Sequence, residues 1–91
     1  MKFDMCGAAI VVHALALACA RELPVHVIGI VGIAENMPGG NAIKPGDVFS
    51  AYNGVTVEIQ NTDAEGRLIL ADVLSYACKH LKPAALFDFA T

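Results

Sequence analysis

Two carboxylates and an arginine lie within one short polar stretch, residues 61–68, which reads Asn-Thr-Asp-Ala-Glu-Gly-Arg-Leu. Hard divalent cations take carboxylate oxygens as ligands, and Asp63 and Glu65 supply them. The guanidinium of Arg67, next to a helix N-terminus, suits a bound anion. One further carboxylate, Asp4, comes just before the first predicted helix. These residue types predict a metal or anion site.

The same stretch also fits an ordinary helix start. Thr62 followed three residues later by Glu65 matches the capping-box pattern, and early acidic residues suit the positive end of the helix dipole. Two residues fit a simple cap poorly. Arg67 is unfavourable in a first helical turn, and Gly66 costs about 1 kcal/mol of helix propensity. Both interpretations remain open at this point.

The apolar pattern predicts the elements that must position these residues. The first helix is apolar enough to be buried on most sides. A nearly continuous β-branched run at residues 25–33 is typical of a strand buried on both faces of a parallel sheet. The predicted elements are helices at 5–22 and 64–81, strands at 25–33 and 84–89, and a hairpin of strands 48–51 and 55–59. Asn53-Gly54 between the hairpin strands favours a type I′ turn.

This order of elements predicts an α/β fold class: a three-layer αβα segment with a largely parallel sheet, forming part of a domain. Hydrophobic residues make up 56% of the 91 residues and charged residues 16%, whereas soluble domains carry about 25% charged residues. Small domains expose the most surface per residue and should be more polar than average. We therefore expect the chain to form part of the interior of a larger domain.

Charge and cysteine usage exclude several classes of protein. The formal charge of −3 argues against a nucleic-acid or anionic-membrane binder. No run reaches the roughly 18–20 apolar residues of a membrane-spanning helix, and the first residues fit a secretory signal poorly. The three cysteines, Cys6, Cys19 and Cys78, are odd in number and widely spaced. They predict reduced, mostly buried thiols of a cytoplasmic protein.

Residues 61–68 resemble the signature octapeptide of the leucine (cytosol) aminopeptidases, a family of two-metal exopeptidases. Further similar motifs follow in the family's order and spacing, at 2–9, 34–38, 45–47, 70–72 and 88–91. Two departures lie outside the ligand positions: Cys6 stands where the family often has Gly, and Gly39 where Ser is common. The resemblance implies that residues 1–91 are the central part of an aminopeptidase catalytic domain, incomplete at both ends.

The resemblance also implies a role for each matching residue. Asp4 matches the carboxylate that binds only the tighter metal, Asp63 a ligand of the more exchangeable metal, and Glu65 the carboxylate that bridges both. Arg67 matches the arginine that holds a bicarbonate ion, the family's proposed general base. The matching substrate-binding positions are Met1, Asn61, Ala64 and Thr91.

The implied activity is removal of N-terminal residues from peptide substrates, with a leucine-type preference, by two Mn or Zn ions and bicarbonate. The expected protein is a cytoplasmic homo-hexamer that binds neither nucleic acid nor membrane. The family's other two metal ligands and a catalytic lysine belong upstream of the segment that matches Asp4. The alternative is therefore a non-catalytic fragment or assembly scaffold. We expect the parent protein to be the enzyme and the 91 residues alone to be inactive.

Overall fold

The computed structural model describes residues 2–91, which form a mixture of helices and strands. The elements in chain order are α1 (Cys6–Ala20), β1 (Val48–Ser50), β2 (Thr56–Glu58), a short 3₁₀ helix (Thr62–Ala64) and α2 (Glu65–Leu81). They belong to two compact units. The first holds Ala84–Thr91 together with the described residues up to Val31, and the second is Gly32–Pro83.

Glycines let two non-helical segments approach α1 in the first unit. Gly7 is buried, and a Cβ atom at this position would collide with the backbone carbonyl of Phe89. A Cβ atom at Gly29 would lie 3.0 Å from Cγ1 of Val11 and would also collide with Leu15. In the first unit, the two glycines therefore allow the backbone near Phe89 and at Gly29 to lie close to α1.

The expectation that α1 is buried on most sides is wrong for the described chain. Three of its large apolar residues are about half exposed, with Ile10 at 47%, Val12 at 55% and Leu17 at 57%. All three cysteines are exposed as well, so the prediction of mostly buried thiols is also wrong. In both cases the sequence predicts buried side chains, but residues 2–91 do not provide enough packing partners to cover them. No helix in this part of the chain has the length and hydropathy needed to cross a bilayer.

The sheet of the described residues is a two-stranded antiparallel hairpin. Phe49 of β1 pairs with Val57 of β2. Beyond the strands, the Ala51 N–H donates to the Val55 carbonyl at 2.8 Å, and the Gly54 N–H donates to the Ala51 carbonyl at 2.8 Å. Gly54 has φ +87, while Asn53 does not take a positive φ. The loop is thus a three-residue connection closed by a left-handed glycine, not the type I′ turn that the Asn-Gly pair favours.

The structure confirms a mixed helix-and-strand fold but does not contain the predicted three-layer αβα arrangement with a parallel sheet. Segments 25–33 and 84–89 are not paired strands, and β1–β2 is the sheet that residues 2–91 form. A strand needs a neighbour whose N–H and C=O groups complete its ladder. Within the described residues, neither segment has one.

The second unit is organised around α2. Its hydrophobic core contains Ile59 and Ala77, which are 3% and 1% exposed. Tyr52, in the hairpin loop, donates its backbone N–H to Oδ1 of Asp72 at 2.8 Å, and its hydroxyl lies 2.7 Å from Nε2 of His80. These two bonds attach the hairpin to α2 over two turns. The helix ends as predicted before Pro83, with Lys82 in the left-handed conformation.

Substituting Gly32 by Ala should destabilise the second unit by about 1–3 kcal/mol, the usual cost of overpacking. The new Cβ atom would lie 2.5 Å from Cγ2 of Ile69 and 2.8 Å from Cγ2 of Val73. β-Branched side chains on a helix have little rotamer freedom with which to move aside. The measurement is the thermal unfolding midpoint at a fixed protein concentration, followed by helical circular dichroism.

Gly40→Ala is the matched control, because a Cβ atom at Gly40 would meet nothing within 4 Å. A surface change of this kind should alter the free energy of unfolding by no more than about 0.5 kcal/mol. Equal midpoints for the two variants would contradict the packing of Gly32 against α2.

Candidate metal and anion site

The polar stretch forms the start of α2, and its helix cap differs from the predicted one. Asn61 is the capping residue: its Oδ1 accepts a hydrogen bond from the Asp63 N–H at 2.9 Å and begins the 3₁₀ helix. The N-cap of α2 itself is Ala64, with no side-chain capping bond. The predicted capping box of Thr62 and Glu65 is therefore wrong: Asn61 caps the 3₁₀ helix that precedes α2, and α2 itself begins without a side-chain cap. The Glu65 carboxylate is left for another role.

Glu65 carries the most unusual polar atom of the described chain. Its side chain is half-buried, and its Oε2 atom is buried without a hydrogen-bond partner among residues 2–91. A buried polar atom left in this state costs about 1–3 kcal/mol, and more when it is charged. Native proteins rarely tolerate such an atom without a ligand, ion or water to satisfy it. The environment of Glu65 thus fits a bound cation.

An open cavity of about 590 Å³ gives access to Glu65. The segment 34–43 forms one wall, and the other includes Leu68, Ile69 and Asp72 from the same helix. Glu65 and Asp72 are seven residues apart, which places them on one helix face. Asp72 is not among the predicted site residues, although its spacing from Glu65 along the helix could have indicated that both line one face.

Asp63 and Arg67, which flank Glu65 in the sequence, are both exposed. Neither forms an ion pair within residues 2–91. The ion pair in this part of the chain joins Lys44 and Asp47 at 3.6 Å. The Asp63 carboxylate therefore has oxygens available for a cation, and the Arg67 guanidinium has donors available for an anion. Ala64, between the two carboxylates in sequence, is half-buried.

Asp4 and Thr91 come together in the first unit. The Thr91 hydroxyl donates a hydrogen bond to Oδ1 of Asp4, although the two residues are 87 positions apart in the sequence. Both side chains are exposed. Met1, the remaining predicted site residue, lies outside the described residues.

The structure thus gathers the predicted site residues into two groups. Residues 61–67 share the start of α2 in the second unit, and Asp4 with Thr91 belongs to the first unit. Among residues 2–91, no group of three or more His, Cys, Asp or Glu side chains could hold a metal ion. The described chain therefore offers separate carboxylates suited to a cation, and the individual ligand roles stay predictions.

Comparison with known proteins connects this arrangement to one family. The family model described as the catalytic domain of the cytosol aminopeptidase family matches residues 1–91. Among curated proteins, a probable cytosol aminopeptidase of Chlorobium luteolum is 56% identical over 91 residues, which is 100% of this chain and 18% of the relative. Probable cytosol aminopeptidases of Rickettsia bellii and Acinetobacter baumannii are 52% and 54% identical over the same length. The chain spans 18% and 19% of those two relatives.

Proposed function

The chain belongs to the cytosol aminopeptidase family, and we propose that it forms the central part of a metal-dependent aminopeptidase catalytic domain. The substrates would be peptides, from which the enzyme removes the N-terminal residue, with a leucine-type preference. The support comes from the family, from the agreement of the signature stretch 61–68 with it, and from the donor atoms at the start of α2.

The observation that carries the proposal is the buried Oε2 atom of Glu65, which has no hydrogen-bond partner in residues 2–91. A carboxylate used only as a helix cap would have its oxygen on a backbone N–H. Here Asn61 caps the preceding 3₁₀ helix, and Oε2 of Glu65 stays buried without a hydrogen-bond partner among residues 2–91, in a residue that also lines an open cavity. An oxygen-preferring divalent cation such as Mn²⁺ would satisfy it.

Following the resemblance to the family, Asp4, Asp63 and Glu65 would hold the two metal ions, Mn or Zn, and Glu65 would take the role of the shared carboxylate. When bound, such ions polarise a scissile carbonyl and lower the pKa of a coordinated water. The protein's contribution is to fix the carboxylates. The rigid start of α2 holds Glu65, and the Asn61 bond to the Asp63 backbone restricts the loop that carries the other carboxylate.

Arg67 would hold a bicarbonate ion. Its guanidinium is exposed and makes no ion pair in the described chain, and its planar fork of N–H donors matches a planar anion with two parallel hydrogen bonds. The position near the N-terminus of α2 adds the favourable end of the helix dipole. Bicarbonate at this position would supply a proton acceptor for hydrolysis.

The substrate positions follow the same alignment with the family. Asn61 and Ala64 flank Asp63 and would lie beside the bound peptide, while Met1 would contact its first side chain. For the complete catalytic domain we propose the three-layer αβα fold, in which segments 25–33 and 84–89 gain the strand neighbours that residues 2–91 lack. We further propose a cytoplasmic homo-hexamer, without nucleic-acid or membrane partners.

The proposal is tested in a hybrid enzyme, in which these 91 residues replace the aligned segment of the Chlorobium luteolum relative. The hybrid enzyme should hydrolyse leucine amide, lose activity on chelation and regain it with Mn²⁺ or Zn²⁺. Asp63→Asn should lower kcat/KM by roughly 10²-fold or more, because losing one anionic ligand removes several kcal/mol of metal-derived stabilisation. The measurement is steady-state hydrolysis before and after metal removal.

Asp47→Asn is the matched control for that substitution. Asp47 is a carboxylate of the same unit that makes a solvent-exposed ion pair with Lys44 and accepts the Lys44 N–H at 2.9 Å, a bond that an asparagine oxygen can keep. Such pairs contribute about 0–1 kcal/mol, so the control should retain near-normal kcat/KM. Activity that survives complete chelation, or full activity in Asp63→Asn, would contradict the proposed function.

A non-catalytic assembly segment is the second candidate. It is favoured by the absence of a three-donor metal group among residues 2–91 and by the large number of exposed apolar side chains. The hybrid enzyme separates the two candidates. A scaffold segment would leave the hybrid folded but without metal-dependent hydrolysis.

A further inference from the structure

We propose that Thr91 is a positioning residue for Asp4: its hydroxyl holds Oδ1 of the carboxylate and leaves Oδ2 to ligate one divalent cation. This inference rests on the proposed function, because it takes Asp4 as a metal ligand. The family resemblance implies that Thr91 contacts the bound substrate. The inference instead makes Asp4 the contact of the Thr91 hydroxyl.

The hydrogen bond between the two side chains is the first observation. Thr91 Oγ1 donates to Asp4 Oδ1, and this carboxylate makes no other hydrogen bond or ion pair among residues 2–91. A carboxylate with one oxygen engaged by a donor has its second oxygen open. The contact therefore selects which oxygen can face a cation.

Backbone packing is the second, independent observation. Gly7, in the first turn of α1, is buried, and a Cβ atom there would collide with the Phe89 carbonyl and lie 3.2 Å from Cα of Ala90. Residues 89–91 thus approach the start of the helix that Asp4 precedes. The contact between Asp4 and Thr91 follows from this close approach and not from two long, flexible side chains.

The chemistry explains why such a hydroxyl matters. Carboxylates that ligate metals are themselves held by hydrogen bonds, which set their orientation, and loss of these partners typically weakens metal affinity by about 10- to 100-fold. With one lone pair of Oδ1 used by Thr91, Oδ2 is the oxygen that keeps both of its lone pairs for an ion. Glu65, whose Oε2 has no partner among residues 2–91, is under no such restriction. The two carboxylates are thereby suited to different roles.

The test compares Thr91→Val, which removes the hydroxyl with little change of shape, with Thr91→Ser, which keeps it. Both are made in the hybrid enzyme, and Mn²⁺ dissociation constants are measured from the electron paramagnetic resonance signal of the free ion. Thr91→Val should weaken the binding of one Mn²⁺ by about 10- to 100-fold, and Thr91→Ser should retain the original affinity. The control is Thr56→Val, which removes an exposed hydroxyl from β2.

Two results would overturn the positioning role of Thr91, and the first is read from the kinetic constants. If Thr91→Val raises KM for leucine amide but leaves both Mn²⁺ constants unchanged, Thr91 contacts the substrate and the inference is overturned. The same follows if Thr91→Ser weakens Mn²⁺ binding as much as Thr91→Val, because the hydroxyl is then not responsible. Circular dichroism of each variant establishes that the fold is retained.

Asp4→Asn separates this inference from the proposed function. Weaker Mn²⁺ binding in Asp4→Asn with normal binding in Thr91→Val would overturn the positioning role alone. Unchanged binding in Asp4→Asn would remove Asp4 from the ligand set and overturn the inference with it. The metal dependence of hydrolysis is tested independently by Asp63→Asn, so neither result for Asp4 would decide it.

Discussion

Substituting Glu65 by Gln in the hybrid enzyme should lower kcat/KM for leucine amide by roughly 10³-fold or more. Glutamine keeps the shape of the side chain but replaces an anionic oxygen with an amide, which would remove the strong ligand that we propose at the buried Oε2 position. Metal ions supply several kcal/mol of transition-state stabilisation, and each 1.36 kcal/mol is a factor of ten in rate. The measurements are kcat/KM at saturating Mn²⁺ and the Mn²⁺ dissociation constants.

The same substitution should leave the metal-free protein as stable as before, or more stable. A buried anionic oxygen without a hydrogen-bond partner costs free energy in the folded state, and a neutral amide reduces that cost. Loss of activity together with an unchanged or higher melting temperature would assign Glu65 to function and not to folding. This opposition between stability and activity is typical of functional sites.

Glu58→Gln provides the matched control. Glu58 is an exposed glutamate of the same unit, on β2 opposite Val48, and its neutralisation should change kcat/KM little. Full activity and unchanged Mn²⁺ affinity in Glu65→Gln would show that the unsatisfied oxygen is not a ligand. The assignment of the site to the start of α2 would then be wrong.

Local sequence signals predict the helices and the hairpin well. The helical periodicity of 5–22 and 64–81 corresponds to α1 (Cys6–Ala20) and α2 (Glu65–Leu81), with boundaries that differ by at most two residues. The hairpin is also where the sequence places it. In each case the residues that determine the position of the element lie within it or next to it, so that propensity and spacing are sufficient, although Asn-Gly does not indicate the correct turn type.

Burial and strand pairing could not be predicted in the same way. The run at 25–33 is apolar on both faces, which is the correct signal for a covered strand, yet Val25 and Val27 are 61% and 51% exposed. A sheet is defined by partners that are distant in sequence. The pattern within one segment indicates that the segment requires strand partners and covering side chains. It does not indicate whether residues 2–91 provide them.

The candidate site shows the same division between local and distant information. The residue types at Asp63, Glu65 and Arg67 are enough to indicate metal and anion chemistry, although the cap is Asn61 and not Thr62. By contrast, no sequence spacing could connect Asp4 with Thr91 across 87 positions. That contact exists because Gly7 admits the backbone near Phe89, a packing effect that no local pattern of residues contains.

The 91-residue chain by itself should self-associate and should hydrolyse no leucine amide. Its accessible surface is 7351 Å², whereas a folded monomer of 9.5 kDa exposes about 5,000 Å². Much of the exposed surface is apolar: Phe3 is 78% exposed, Ile33 89% and Phe87 80%. An excess of about 2,300 Å² matches the area that obligate interfaces bury, so association through these faces should be favourable.

Analytical ultracentrifugation over a range of concentrations measures the association, and hydrolysis assays with Mn²⁺ or Zn²⁺ measure the activity. The expected inactivity follows from the separate carboxylates, because no three-donor metal group is present among residues 2–91. A monomer with a sharp, concentration-independent melt would contradict the first expectation. Metal-dependent hydrolysis that is lost on Asp63→Asn would contradict the second, since the carboxylates of this chain would then suffice to build a working site. If the chain is inactive while the hybrid enzyme is active, the remaining metal donors are supplied by the rest of the hybrid.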